Sequence, residues 1–169
     1  SGRFTSLDEL IDEVGADLVR FFMLMRAAES HLEFDLDLAR DQSEKNPVYY
    51  VQYAHARICS ILAKAQVEGF SDESGEEKLL RHPTEHVLIR QLLELADTID
   101  RAVRDLAPHH LTTYARELAG SFHAFYRDCR VVDAENRALT LARLKLVRAA
   151  GIGLARTLEL LGVSAPEAM

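Results

Sequence analysis

No glycine or proline falls between Pro47 and Gly69, and that uninterrupted stretch sets the longest early element the chain can build. Asn46 stands in front of it with a side chain able to accept the free N–H groups of a first helical turn. Pro47 comes next, at the position where a missing N–H costs nothing. At about 100° per residue, Val48, Val51, Ile58, Leu62 and Ala65 share one face with His55. The spacing predicts a helix from Asn46 to Gly69 with that face in a core.

Beside the apolar face runs a second stripe. Tyr50, Tyr53, Arg57 and Lys64 recur at helical spacing, so two phenol rings, a guanidinium and an ammonium crowd one side of one rod. Such a stripe can stack on and clamp single-stranded nucleic acid. The same pattern describes core-edge tyrosines with a local cation–π contact, and periodicity alone leaves both readings open.

The rest of the chain is also helical in character. It has four prolines, eight glycines, no tryptophan and long runs rich in Ala, Leu, Glu and Arg, which point to an all-α bundle. Thr5 or Ser6 can cap a short first helix, with Asp8 or Glu9 as the capping-box partner and Gly15 as its end; Ala16 to Ala28 forms a second. Leu32, Phe34, Leu36 and Leu38 alternate with polar residues, predicting an extended segment or one short helical turn. The acidic stretch SDESGEE after Phe70 reads as an exposed loop.

Thr84 is placed to cap a helix reaching to about Leu106, with Val87, Leu88, Leu92, Leu95, Ile99, Val103 and Leu106 facing inward. Pro108 breaks the chain. The next helix buries Leu111, Ala115, Leu118, Ala119, Phe122, Phe125 and Tyr126, with Tyr114 near its start. A last helix spans Asn136 to Leu161, carrying Leu139, Leu141, Leu144, Leu146, Val147, Ile152, Leu158 and Leu161, and Gly162 suits the position after it.

Charge and cysteine usage narrow the function. A net charge of -7 argues against a non-specific nucleic-acid binder, though not against one that relies on a few placed contacts. Residues 1–100 carry 10 Lys and Arg against 20 Asp and Glu, whereas residues 101–169 carry 10 against 7, which separates an acidic side from a locally basic one. Cys59 and Cys129 have no partner spacing and read as buried thiols of a reduced cytoplasmic protein. No apolar run is long enough to cross a bilayer, and no secretory signal opens the chain. Asp35 with Asp37, and His82 with His86, have metal-like spacing but no third ligand or H-E-x-x-H order, so no metal site is expected.

Several segments carry a family likeness. NPVYYVQYAHARICSIL resembles the opening helix of the DALR-type anticodon-binding domain of arginyl-tRNA synthetases. SGRF and TSLDELIDEVGADLVRFFMLM are similar to the segment just downstream of the KMSK-type ATP loop in that family. DLVR, Asp17 to Arg20, resembles its D-A-[LV]-R tetrapeptide with Leu18 in place of Ala. HLEFDLDLAR is similar to the family's connector to the anticodon domain. PHHLTTYARELAGSFHAFYRDCRV resembles P-H-x-[LV]-x-x-Y-x-x-x-L-A-x-x-F-x-x-F-Y, and VSAPEAM is similar to a G-x-x-x-P-x-x-M terminus.

The resemblance implies an all-α bundle of the class I synthetase type, with residues 1–45 as a helical connector from the catalytic domain and residues 46–169 as the anticodon-binding domain. It implies that the partner is the anticodon stem-loop of an arginine tRNA, contacted by Tyr50, Tyr53, Arg57, Tyr114 and Met169. The H-x-G-H and KMSK signatures are absent, so no catalytic residue, cofactor or enzymatic activity is expected of this stretch. ATP and Mg²⁺ would belong to the missing catalytic domain of a parent arginine–tRNA ligase, expected to be a cytoplasmic monomer. The alternatives are the helical domain of another class I synthetase, a helical protein-interaction module without RNA affinity, and a bundle enzyme with a core metal. The last would need Glu-x-x-His pairs on two helices, which the chain lacks.

Overall fold

A computed structural model describes residues 6–27, 29, 30, 34–70 and 75–169. The expectations for SGRF, Thr5, Ala28, Leu32 and the acidic residues 71–74 fall outside them. Helices dominate, and no strand occurs among the described residues. They are α1 (Leu7–Val14), α2 (Ala16–Leu24), α3 (Leu36–Arg40), α4 (Pro47–Val67), α5 (Pro83–Leu93), α6 (Leu95–Arg104), α7 (His109–Asp128) and α8 (Arg137–Leu160), with a 3₁₀ turn at Glu77–Leu79.

The caps explain most boundaries. Ser6 and Glu9 form a reciprocal capping box on α1, and Gly15, at φ 89°, turns the chain directly into α2. Asp35 caps the one-turn helix α3 by accepting the Leu38 N–H. Asn46 accepts the N–H groups of Val48 and Tyr49, and Pro47 opens α4 as expected. Asn46 also donates to the Ala39 carbonyl at 3.1 Å, which ties α3 to the start of α4.

Several expectations need correction. Pro83 occupies the first turn of α5, so the cap is His82 rather than Thr84, and Glu85 returns a bond to the His82 N–H. The single helix expected from Thr84 to Leu106 is two, because the Glu94 N–H is shared among the carbonyls of Arg90, Gln91 and Leu92 and the axis restarts at Leu95. The inward face therefore does not continue to the end: Val103 and Leu106 are exposed, Leu106 at 86 % and in the left-handed region. Val87 and Ile152 also face solvent, and Cys59 is only partly covered while Cys129 is buried.

α7 is the central rod, packing against α4, α5, α6 and α8. Its Leu118, Phe122 and Phe125 meet Val51 and Ile58 of α4, Leu88 of α5, and Leu144, Val147, Leu154 and Leu158 of α8 in one continuous core. α4 and α8 approach closely because Gly151 leaves room for Ile58; a Cβ there would lie 2.8 Å from the Ile58 methyl. α5 is fixed to α8 by a sequestered ion pair, the Arg143 Nε donating to Glu85 at 2.7 Å.

Candidate nucleic-acid interface

One face of α4, the facing side of α7 and the residues after α8 enclose two adjoining recesses. The first, about 580 Å³, is lined by Glu44, Tyr50, Tyr53, Arg57, His123, Tyr126 and Arg127 among others. The second, about 350 Å³, lies between Tyr53, Arg57, Ser60, Lys64, Tyr126 and Met169. Both fall within the roughly 300–1,000 Å³ range of small-ligand sites. Tyr53, Arg57 and Tyr126 belong to both, so these three side chains are the wall between them.

That wall is a stack. The Arg57 guanidinium lies 4.9 Å from the Tyr53 ring centroid and 5.2 Å from that of Tyr126, and it donates to the Tyr53 hydroxyl. Tyr49 continues the stack, its ring 9° from parallel to Tyr53 with centroids 6.0 Å apart. These contacts follow from α4 spacing, because Tyr49, Tyr53 and Arg57 succeed one another at i, i+4 and i+8.

His123 closes the first recess from α7. Its ring lies 4.9 Å from Tyr50 and 6.1 Å from Tyr53, and its Nε2 is sealed from solvent with no hydrogen-bond partner among the described residues. Burial, and then the Arg57 charge, hold its pKa below the ordinary 6.5. The imidazole is thus kept neutral beside the cation. Burial, with Glu44 nearby, raises the Tyr50 pKa, so that hydroxyl stays protonated as a donor.

The segment after α8 folds back over α2 and α4. Gly162, at φ 66°, ends the helix as expected, and Val163 is buried. The Pro166 carbonyl accepts from His55 Nδ1 at 2.9 Å, and Met169 reaches the second recess while remaining 57 % exposed.

Four of the five residues expected at the site therefore converge: Tyr50, Tyr53, Arg57 and Met169. Tyr114 does not join them. It lies nine residues before His123, about two and a half turns, which puts it on the opposite side of α7. There it is 2 % exposed in the core, its hydroxyl unpartnered among the described residues and its pKa pushed up to about 12 by burial and then by Glu94. Tyr126, expected on the apolar face, instead supplies the α7 tyrosine of the cleft and is 38 % exposed. The signal for Tyr126 and His123 lay in their i, i+3 spacing with Gly120, a face distinct from Leu118, Phe122 and Phe125. Among the described residues no group of three His, Cys, Asp or Glu side chains could hold a metal ion, and no helix is long and apolar enough to cross a membrane.

Residues 51–169 match the DALR anticodon binding domain, and the match covers α4 almost from its start, α7 and the returning segment. The chain belongs to the DALR anticodon-binding domain family. An arginine–tRNA ligase of Dehalococcoides mccartyi is 54 % identical over the whole chain, which spans 30 % of that relative's length. Among solved structures, the Thermus thermophilus arginyl-tRNA synthetase is 30 % identical with a TM-score of 0.77, over 98 % of this chain and 28 % of its own. A Campylobacter jejuni chain assigned as an arginyl-tRNA synthetase is 29 % identical with a TM-score of 0.88, over 99 % of this chain and 36 % of its own. The DALR chain thus corresponds to about a third of the proteins it resembles.

Proposed function

We propose that this DALR chain is the anticodon-binding part of an arginine–tRNA ligase and that it takes bases of an arginine tRNA anticodon loop into the two recesses. The observation that carries the reading is the Tyr53–Arg57–Tyr126 stack with a recess on either side. Bases splayed from a loop stack on aromatic and guanidinium planes, and each such contact contributes about 1–3 kcal/mol. Tyr50 and His123 form the back of one recess, and Met169 the apolar wall of the other. Arg127 and Lys64 stand at their edges, where the phosphates of a loop would run.

The service is positional. Binding energy gathered at the loop orients the tRNA for chemistry elsewhere. In this reading the remainder of a cytoplasmic, monomeric ligase supplies the ATP and Mg²⁺ chemistry, and the DALR chain by itself gives no arginine-dependent ATP–pyrophosphate exchange.

The test is titration of the chain with an arginine tRNA anticodon stem-loop and with a loop of scrambled sequence. The arginine loop is expected to bind more tightly, and affinity to fall as salt rises. Tyr53→Ala and Tyr126→Ala should each cost about 1–3 kcal/mol of binding, whereas Tyr114→Phe should cost none. Equal affinity for both loops would reject the proposal, and no affinity for either would favour a helical protein-interaction module.

A further inference from the structure

The DLVR tetrapeptide lies on α2, away from both recesses, yet its two charged residues face the segment that ends at Met169. The Asp17 carboxylate accepts the Ser164 N–H at 3.0 Å and also the Ser164 hydroxyl. Gln52 of α4 donates to the same carboxylate at 3.3 Å and to the Ser164 carbonyl at 3.0 Å. Arg20 donates to the Gly162 carbonyl. Gly162 is held at a φ of 66° that favours glycine, and a Cβ there would also press on the Arg20 side chain at 3.1 Å. A single turn of α2, from Asp17 to Arg20, thus holds both ends of the turn that leaves α8, and Gln52, next to Tyr53 in sequence, ties that hold to α4.

Resting on the RNA-binding reading above, we propose that Asp17 and Arg20 are positioning residues for the RNA site: they touch no RNA but clamp residues 162–164, so that Met169 stands as the wall of the second recess. Without the clamp, Val163 and the His55 bond to Pro166 would still tether the segment, but its last residues would sample positions away from Tyr126 and Lys64. The sign of the effect separates this role from a charge effect. Removing an acidic group near a polyanion favours binding electrostatically, whereas loss of the clamp weakens it.

The experiment has two arms. In the free chain, hydrogen exchange at the Ser164 amide should accelerate in Asp17→Ala, and to a smaller extent in Ser164→Ala, which removes only an exposed hydroxyl and guards against a folding defect. Unchanged exchange would overturn the clamp whatever the RNA does. In the second arm, stem-loop affinity is measured for wild type, Asp17→Ala, Met169→Ala and the double variant, with thermal unfolding alongside. Each single change is expected to weaken binding by about tenfold, with the salt slope unchanged. The double variant should lose no more than either alone, because both act through one wall. Faster exchange with unaltered affinity, or losses that multiply to roughly a hundredfold, would overturn the coupling. A wild-type chain that does not distinguish the arginine loop from the scrambled one would reject the underlying function, a result seen before any variant is examined.

Discussion

Arg57 sits where the two recesses meet, and its contribution is shape as much as charge. A planar guanidinium held between two phenol rings is already oriented, so under the proposed function little rotamer entropy would remain to be lost on stacking with a base. Arg57→Lys keeps the charge and loses the plane. Stem-loop affinity in that variant is expected to fall close to the level of Arg57→Ala, with the salt slope unchanged; wild-type affinity would mean that only the charge counts. His123 leads to a pH prediction. Its folded pKa lies below the ordinary 6.5, so above that pH it is neutral in both folded and unfolded chains and contributes nothing to the pH dependence. As pH falls through 6.5 the unfolded chain takes up the proton first, and stability is lost down to the folded pKa. A thermal midpoint that declines below about pH 6.5 in wild type should flatten there in His123→Asn.

The helices differ in how openly their sequences announce them. α4 was legible because Asn46 and Pro47 satisfy the cap chemistry in consecutive positions, and α1 because Ser6 and Glu9 form a box. The break between α5 and α6 was hidden. Leu88, Leu92, Leu95 and Ile99 keep helical spacing across it, and neither Gly nor Pro marks Glu94, where a shared backbone N–H makes the change. Tyr114, which the family resemblance places at the RNA site, is a related case: its sequence does not say which side of α7 it takes, and that side is set by the core around Leu118 and Phe125. The Glu85–Arg143 pair was equally invisible, since 58 residues separate its members. Glu85 is 1 % exposed and also accepts from the His82 N–H, so Glu85→Ala leaves the largely buried Arg143 cation without its carboxylate, with only the Arg130 carbonyl among the described residues to accept from it, and removes the cap bond. A loss of about 3–5 kcal/mol in denaturant unfolding is expected, far more than a surface ion pair would give.

At the scale of the molecule, the recognition surface is assembled from segments distant in sequence. The stripe of α4, the far side of α7 and the segment after Gly162 are each incomplete alone, and the hold on that segment joins Ser164 to Asp17 across 147 residues. Contacts of such separation form late, because the intervening chain must first be ordered for the ends to meet cheaply. A chain emerging from the ribosome therefore builds its helices, and even the Tyr53–Arg57 pair, well before it has a finished site. Competence to retain RNA should appear in refolding only with the slowest kinetic phase, after helical signal has returned, and binding that rises in step with far-UV ellipticity would contradict this. If the chain holds RNA as proposed, a molecule clipped after α8 would be a poor trap for it, because capture waits until the residues after Gly162 have found their place against α2 and α4.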